Sequence, residues 1–190
     1  VDARPITADG PIHADEAFTL SAARLRHRVD AVGYRLHEPD GRRMLPDLLA
    51  DAGVDGPDIG RLQREGSLEV DGRTVTLEAV SEHRTGQTFA FVMDTAGCQA
   101  AVDLAADADL LVCESTFLSS EEEAAGEYGH LTAGQAGRLA REAGVGTLVL
   151  THFSARYADV EPFADEARAV FDGEIVLASD LSTVPVPRRH

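Results

Sequence analysis

The sequence predicts an α/β fold built around a mostly parallel β-sheet. After Gly86, short apolar segments rich in β-formers alternate with helical segments. Three predicted strands each run up to a side chain that can hold a metal or move a proton: Thr88 to Met93 before Asp94, Asp109 to Cys113 before Glu114, and Thr147 to Thr151 before His152. Because open α/β sheets form their sites at the carboxyl ends of the strands, we expect these three side chains to meet there.

A capped helix is predicted just before the last of these strands. Thr132 and Gln135 have the spacing of a capping box, and Gly144 is suited to end the helix in a left-handed conformation. His130 therefore lies just outside the helix N-terminus, where free N–H groups and the helix dipole favour a phosphate. The sequence thus indicates one histidine placed for a metal, His152, and one placed for an anion, His130.

The N-terminal region is predicted to form strands. Ala17 to Val29 alternates near its end, which places Leu25, His27 and Val29 on an apolar face. A lone histidine on such a face is more often a hydrogen-bonded core residue than a ligand, so partners elsewhere must decide its role. The other predicted elements are a strand at Ala31 to Leu36, helices at Cys98 to Ala106 and Glu161 to Val170, and a strand at Glu174 to Ala178.

The segment from Glu38 to Gly72 differs in composition from the rest of the chain. It is rich in turn formers and charge, which favours an arm inserted into a single domain that spans 1–190. The Asp71–Gly72 pair, between Ser67–Val70 and Arg73–Leu77, predicts a β-hairpin.

Composition restricts the class of protein. The net charge is −16, which on its own argues against a nucleic-acid partner and favours a solvated acidic surface. All 17 basic residues are arginine, however, and several are clustered, so the local charge can differ from the sum. The clusters are Arg24, Arg26 and Arg28, then Arg42 and Arg43, then Arg61 and Arg64.

Other general features indicate a cytoplasmic protein. The sequence has no apolar run of about 18 residues and no leader pattern, so we expect no membrane association. Cys98 and Cys113 are too few for a disulfide framework and have no CxxC spacing, so we expect both to be reduced and buried. Because residue 1 is Val1 and not methionine, we expect the sequence to be part of a longer protein.

Histidines and a carboxylate at strand ends, without thiolates, are typical of one or two zinc ions that keep an open position for water. Zinc lowers the pKa of its bound water to about 7, which supplies hydroxide at neutral pH. Taken singly, Asp94 is better explained as a helix N-cap and Glu114 as a loop cap, so only their combination supports a metal site.

Taken together, five motifs resemble the bacterial ribonuclease Z family of the metallo-β-lactamase superfamily, from about Phe18 to the C-terminus. The motifs are HRVDAVGYRLHEPD (His27 to Asp40), FVMDT (Phe91 to Thr95), ESTF (Glu114 to Phe117), GHLTAGQA (Gly129 to Ala136) and THFSARY (Thr151 to Tyr157). The resemblance implies the C-terminal portion of an αββα metallo-β-lactamase sandwich, with the arm as an exosite that grips the tRNA elbow.

The resemblance also implies roles for individual residues. His27 is implied as a ligand of one zinc, Asp94 as the bridging carboxylate and His152 as a ligand of the other zinc. His130 is implied as the proton donor to the leaving 3′-oxygen, with Glu114 as its orienting partner. Substrate-binding roles follow for Ser154, Arg156, Arg61 and Arg64, although the arm is poorer in basic residues than is usual in the family.

The chain departs from the family at its front, because the His-x-His-x-Asp-His motif has no counterpart in the sequence. We therefore expect this chain alone to be inactive, and its longer parent to be a cytoplasmic, homodimeric, zinc-dependent endoribonuclease that removes the 3′ trailer of pre-tRNA. Two alternatives remain open. One is a small-substrate phosphodiesterase of the same superfamily, and the other is a non-catalytic fragment or RNA-binding remnant.

Overall fold

The computed structural model describes residues 5–187, which divide into two compact units. The first unit lies before Asp40 and after Gly86, and the second is Asp40–Gly86. The strands are β1 Gly10–Ala14, β2 Thr19–Arg24, β3 Val32–His37, β4 Gly41–Met44, β5 Ser67–Val70, β6 Arg73–Thr76, β7 Ser81–Arg84, β8 Thr88–Val92, β9 Leu110–Glu114, β10 Thr147–Thr151 and β11 Glu174–Leu177. The helices are α1 Pro46–Asp51, α2 Pro57–Glu65, α3 Gln99–Ala105, α4 Glu122–Tyr128, α5 Ala133–Glu142 and α6 Glu161–Arg168.

A seven-stranded mixed sheet organises the first unit, in the order β1-β2-β3-β8-β9-β10-β11. Strands β1, β2, β3 and β8 pair antiparallel, and β8, β9, β10 and β11 pair parallel. The parallel half therefore brings the carboxyl ends of β8, β9 and β10 to one edge, as the sequence predicted.

Helix α5 begins and ends as its sequence predicts. The Thr132 hydroxyl accepts from the Gln135 N–H at 3.2 Å, and the Gln135 side chain accepts from the Thr132 N–H at 2.9 Å. Gly144 has a φ of +69°, and its N–H donates to the carbonyl of Arg141 while the N–H of Val145 donates to that of Ala140. This pair of bonds is a Schellman motif, which ends the helix, while the capping box fixes its start and thereby the position of His130 before it.

Small residues let the helices pack closely on each other and on the sheet. Helix α5 buries its alanines in a core with Leu148, Leu150 and Phe163. A Cβ at Gly137 would lie 2.8 Å from Val170 Cγ2 and 3.1 Å from the backbone of Ala167, so only glycine permits this approach of α5 to the α6 segment.

Both cysteines are free, as predicted, but only Cys113 is buried, and the expectation that Cys98 is buried too was wrong. Cys113 is fully buried in the core on β9, and its burial, together with the neighbouring Glu114 carboxylate, raises the pKa of its thiol far above the usual range. Its thiol therefore stays neutral and unreactive in the folded protein.

The predicted strand that contains His27 is shorter than expected. Strand β2 ends at Arg24, which pairs with Val32 of β3, so the residues between them form the connection of a hairpin. His27 lies in a bend of this connection, and Val29 is 69% exposed and not on an apolar face. The prediction was wrong here because the alternation of the sequence continues past the last residue that has a strand partner.

The second unit has a small core of its own. Strand β4 pairs with β7, and β5 pairs with β6 around Asp71 and Gly72, whose φ values of +48° and +72° suit the predicted hairpin turn. Its buried apolar side chains are Leu49, Val54, Leu62, Leu68 and Val80. The predicted arm from Glu38 to Gly72 lies in this unit except for its first two residues, but the unit continues to Gly86 because β7 completes the pairing with β4.

None of the helices in the described part of the chain has the length and apolar character needed to cross a membrane.

Candidate metal centre

Two residues at the carboxyl ends of parallel strands have unusual backbone conformations. Asp94, after β8, has a φ of +54°, and His152, after β10, has a φ of +60°. Left-handed conformations at non-glycine residues cost roughly 1–3 kcal/mol each and are concentrated at functional sites. Here they turn the two side chains toward each other, with Asp94 Oδ1 3.3 Å from His152 Nε2.

His130 completes a group of three possible ligands. It lies between α4 and the cap of α5, where its N–H donates to the Ala125 carbonyl at 2.9 Å. One ligand atom each from Asp94, His130 and His152 can be chosen so that all three atoms lie within 4.8 Å of one another. The ring centroids of His130 and His152 are 5.3 Å apart.

His27 reaches the same place from a distant part of the sequence. A backbone bridge between Arg26 and Ala96 fixes the β2–β3 connection beside the segment that follows Asp94. The ring centroid of His27 is 4.9 Å from that of His130, and its Nδ1 is 2.9 Å from the Gly129 carbonyl oxygen. Gly129 has a φ of +80°, and a Cβ there would lie 3.1 Å from His27 Nδ1, so a glycine is needed for this contact.

Glu114 is a fully buried carboxylate that joins the segments around the centre. Its oxygens accept hydrogen bonds from the Thr95 N–H and the Leu131 N–H, and from the Thr116 hydroxyl at 2.7 Å. One of them also lies 2.9 Å from His130 Nδ1. Four partners compensate for the burial of this charge, and they connect the ends of β8 and β9 to the start of α5.

The hydrogen-bond partners assign the proton on each neutral imidazole. A carbonyl and a carboxylate only accept, so His27 and His130 must donate from Nδ1. The Thr116 hydroxyl gives its single proton to Glu114, so it must accept from His152 Nδ1, which lies 2.9 Å away. All three histidines therefore carry a proton on Nδ1. Nε2 is the ring nitrogen left to bind a ligand, and that of His152 faces Asp94 Oδ1 at 3.3 Å.

This arrangement fits a metal ion. Histidine ligands almost always donate their second ring nitrogen to a carboxylate, a carbonyl or another fixed acceptor, which sets the tautomer and the ring orientation. The three imidazoles have such partners, and Asp94 supplies a carboxylate beside them. Of the residues predicted for the metal and for proton transfer, Asp94, His130 and His152 form one group of possible ligands. Glu114 is bonded to His130, and His27 lies beside the ring of His130 but outside that group.

The predicted substrate-binding residues lie in different surroundings. Arg156 pairs with Glu121 at 2.5 Å, and its guanidinium lies over the ring of Phe117. A hydrogen bond from the Tyr157 hydroxyl, together with the charge of Arg156, holds the pKa of the Glu121 carboxyl below its usual value. Ser154 donates its N–H to the Thr116 carbonyl at 3.1 Å.

Arg61 and Arg64 lie on α2 of the second unit. Arg61 is paired with Glu65 at 3.1 Å across one turn of this helix. Its charge is therefore already compensated by a carboxylate, and a phosphate would have to compete with Glu65 for it.

Sequence reasoning missed Thr116, which holds His152, and the Gly129 carbonyl, which holds His27. Thr116 follows Glu114 by two residues, but nothing in that spacing indicates a histidine 36 positions further along the chain. The glycine before His130 was part of a recognised motif, although its use as an acceptor depends on a contact across 102 residues.

Replacing Thr116 by valine should lower the affinity of the chain for zinc or cobalt about 10–100-fold, because His152 would lose the partner that fixes its tautomer. Isothermal titration with each metal would measure this. Nitrogen-15 spectra should also show loss of the Nδ1–H tautomer at His152. Thr116→Ser keeps the hydroxyl and should behave as the unchanged chain. Equal affinities for the valine and serine variants would show that this hydrogen bond does not position His152.

Comparisons with known proteins agree with this geometry. The Beta-lactamase superfamily domain matches residues 69–153. The metallo-β-lactamase fold protein YhfI from Bacillus subtilis superposes with a TM-score of 0.57 and 23% identity over 88% of this chain and 49% of its own. Human tRNase Z, short form, superposes with a TM-score of 0.56 and 23% sequence identity. This superposition covers 93% of this chain and 46% of the human protein. These likenesses show a metallo-β-lactamase fold and confirm the predicted fold class.

Proteins with high sequence identity to this chain carry a more specific name than the fold does. A protein named ribonuclease Z from Streptomyces coelicolor is 58% identical over 187 residues, and one from Nocardia farcinica is 57% identical over 187 residues. Each alignment covers 98% of this chain and 61% of the relative, so the chain spans about three fifths of their length. Over nearly its whole length the chain is similar to proteins named ribonuclease Z, which confirms the resemblance seen in the motifs.

Proposed function

We propose that this chain carries part of the hydrolytic centre of a zinc-dependent endoribonuclease that removes the 3′ trailer of pre-tRNA. The observation that carries the proposal is the group formed by Asp94, His130 and His152, with His27 beside it, in a chain 58% identical to a ribonuclease Z. The family resemblance further supports a homodimer in the cytoplasm.

In this proposal His27 and His152 would each hold one zinc ion, and Asp94 would supply a carboxylate to the same centre. Histidine nitrogen and carboxylate oxygen without thiolates are ligands of catalytic zinc, and Nε2 is the available nitrogen on both rings. When bound, two zinc ions supply Lewis acidity and lower the pKa of water, which favours attack on a phosphodiester.

His130 is proposed as the general acid. The bond that breaks joins phosphorus to the 3′-oxygen of the tRNA, and this oxygen needs a proton as it leaves. Because the Glu114 carboxylate accepts from Nδ1 at 2.9 Å, Nε2 is the nitrogen from which His130 would donate this proton. Arg156 and Ser154 are proposed to position the RNA near the centre, and Arg61 and Arg64 to contact it from the arm.

A second candidate function has one specific observation in its favour. In the arm, Arg61 is paired with Glu65 and Arg43 with Glu82, which reduces the positive charge available for RNA. This compensation, and the net charge of −16, favour a phosphodiesterase that acts on small phosphodiesters and needs no arm.

Cleavage assays would separate these functions. A longer protein that contains this chain and the family's His-x-His-x-Asp-His motif is expected to release the trailer from a pre-tRNA transcript, with activity lost on chelation and restored by zinc. Hydrolysis of a small phosphodiester without pre-tRNA cleavage would establish the second candidate. RNA binding without either reaction, at full zinc occupancy, would identify a non-catalytic RNA-binding protein.

A further inference from the structure

Two arginines lie over a pair of stacked aromatic rings beside the metal centre. Phe117 and Tyr128 stack with centroids 6.3 Å apart and planes 16° from parallel, and the ring of Phe117 is 6.3 Å from that of His130. Arg156 lies over Phe117 with its Cζ 4.9 Å from the centroid, and Arg28 lies over Tyr128 at 5.3 Å. Each ring face attracts a guanidinium and restricts where it can lie.

The two arginines differ in their electrostatic surroundings. Arg156 forms an ion pair with Glu121 at 2.5 Å, so most of its charge is compensated. Arg28 is exposed, and within residues 5–187 no carboxylate lies within ion-pair distance of it. Its charge is therefore available, in a chain whose acidic balance repels phosphates elsewhere.

The backbone fixes Arg28 next to the site. Arg28 follows His27 directly. A Cβ built at Gly129 would lie 3.6 Å from the backbone nitrogen of Arg28 and 3.6 Å from its Cγ. Gly129 in turn separates Tyr128, the ring under Arg28, from His130. The contact between His27 and the Gly129 carbonyl therefore also holds Arg28 and Tyr128, the neighbours of these two residues in the sequence, next to each other.

We propose that Arg28 binds an RNA backbone phosphate adjacent to the one that is cleaved, and that Tyr128 is its positioning residue. This inference rests on the proposed function and adds a specific phosphate contact to it. A guanidinium matches the geometry of a phosphate, and an exposed, uncompensated one gains more from that contact than one already paired with a carboxylate. Tyr128 is 41% exposed, so RNA can approach the pair from solvent.

The salt dependence of RNA binding tests this contact. Binding of the chain to a fluorescent pre-tRNA would be measured by anisotropy at several salt concentrations, for the unchanged chain and for Arg28→Gln, Arg28→Lys, Tyr128→Leu and Arg141→Gln. Arg141 is an exposed arginine in the last turn of α5 and serves as the matched control. Losing one phosphate contact on single-stranded RNA lowers the slope of log K against log salt by about 0.7.

We expect Arg28→Gln to lower the slope by about this amount, Arg28→Lys to keep it, and Arg141→Gln to leave it unchanged. Tyr128→Leu should weaken binding in the unchanged background and have no further effect in Arg28→Gln, because the ring acts through the guanidinium. A merely structural role of Arg28 would weaken binding without changing the slope.

The outcomes separate this inference from the proposed function. If the unchanged chain does not bind pre-tRNA, this inference fails, whereas the proposed function is decided separately by pre-tRNA cleavage in the longer protein. If the chain binds and Arg28→Gln retains the full slope, only the Arg28 contact is overturned. Equal loss of slope in Arg28→Gln and Arg141→Gln would also overturn it, because the effect would then be one of net charge.

Discussion

Replacing Glu114 by alanine is expected to lower the free energy of unfolding by about 3–5 kcal/mol. The substitution removes a buried acceptor from four donors, of which the Thr95 N–H and the Leu131 N–H belong to the backbone and cannot turn toward another partner. Each buried donor left without an acceptor costs about 1–3 kcal/mol. For a domain that is stable by about 5–15 kcal/mol in total, this is a large fraction.

Thermal unfolding followed by circular dichroism would measure this effect. In a chain of this size, 1 kcal/mol corresponds to roughly 2–4 °C, so we expect the Tm to fall by about 10 °C. Glu127→Ala removes an exposed glutamate from α4 and should leave the Tm within about 2 °C. Glu114→Gln keeps the size of the side chain but replaces one accepting oxygen by an NH2 group that faces another donor. We therefore expect a fall in Tm between those of the other two variants. Equal melting curves for Glu114→Ala and Glu127→Ala would show that this carboxylate does not hold the site together.

Replacing His130 by alanine in a longer protein with the His-x-His-x-Asp-His motif is expected to lower kcat for pre-tRNA about 10²–10⁴-fold. The zinc content should remain nearly complete, because in the proposed centre His27, Asp94 and His152 bind the metal and His130 donates the proton. His152→Ala should lower both zinc content and kcat. His83, an exposed histidine paired with Asp40 in the second unit, provides the control His83→Ala.

Metal analysis and single-turnover cleavage would give both quantities for each variant. Since one ligand atom each from Asp94, His130 and His152 lies within 4.8 Å of the others, the assay also tests whether His130 is itself a ligand. Loss of zinc from His130→Ala would assign it to the metal. Full zinc content with unchanged kcat would exclude His130 from the reaction.

Local signals in the sequence were sufficient to predict the strand ends of the site. The apolar segments before Asp94, Glu114 and His152 are short and bounded by turns, and parallel strands place their carboxyl ends together. The capping box and Gly144 likewise fixed the start and end of α5. In each case the information lies within a few neighbouring residues.

Contacts between distant residues could not be predicted in the same way. The strand predicted around His27 was too long, because its end depends on the pairing of Arg24 with Val32 and not on the alternation itself. The second unit extends to Gly86 because β7, with the sequence SEHR, pairs with β4, and this polar segment has no strand pattern of its own. The pairing of Arg156 with Glu121 also links two loops that are not related by any sequence period.

The position of zinc in crystals of this chain tests the central claim most directly. Anomalous scattering at the zinc edge should locate an ion about 2.0–2.2 Å from His152 Nε2 and an Asp94 carboxylate oxygen, with His130 Nδ1 still bonded to Glu114. Such a peak would place the metal in the group of possible ligands that Asp94, His130 and His152 form. Zinc bound only at other residues, with Asp94 and His152 retaining their direct contact, would contradict the assignment of this site as the metal centre.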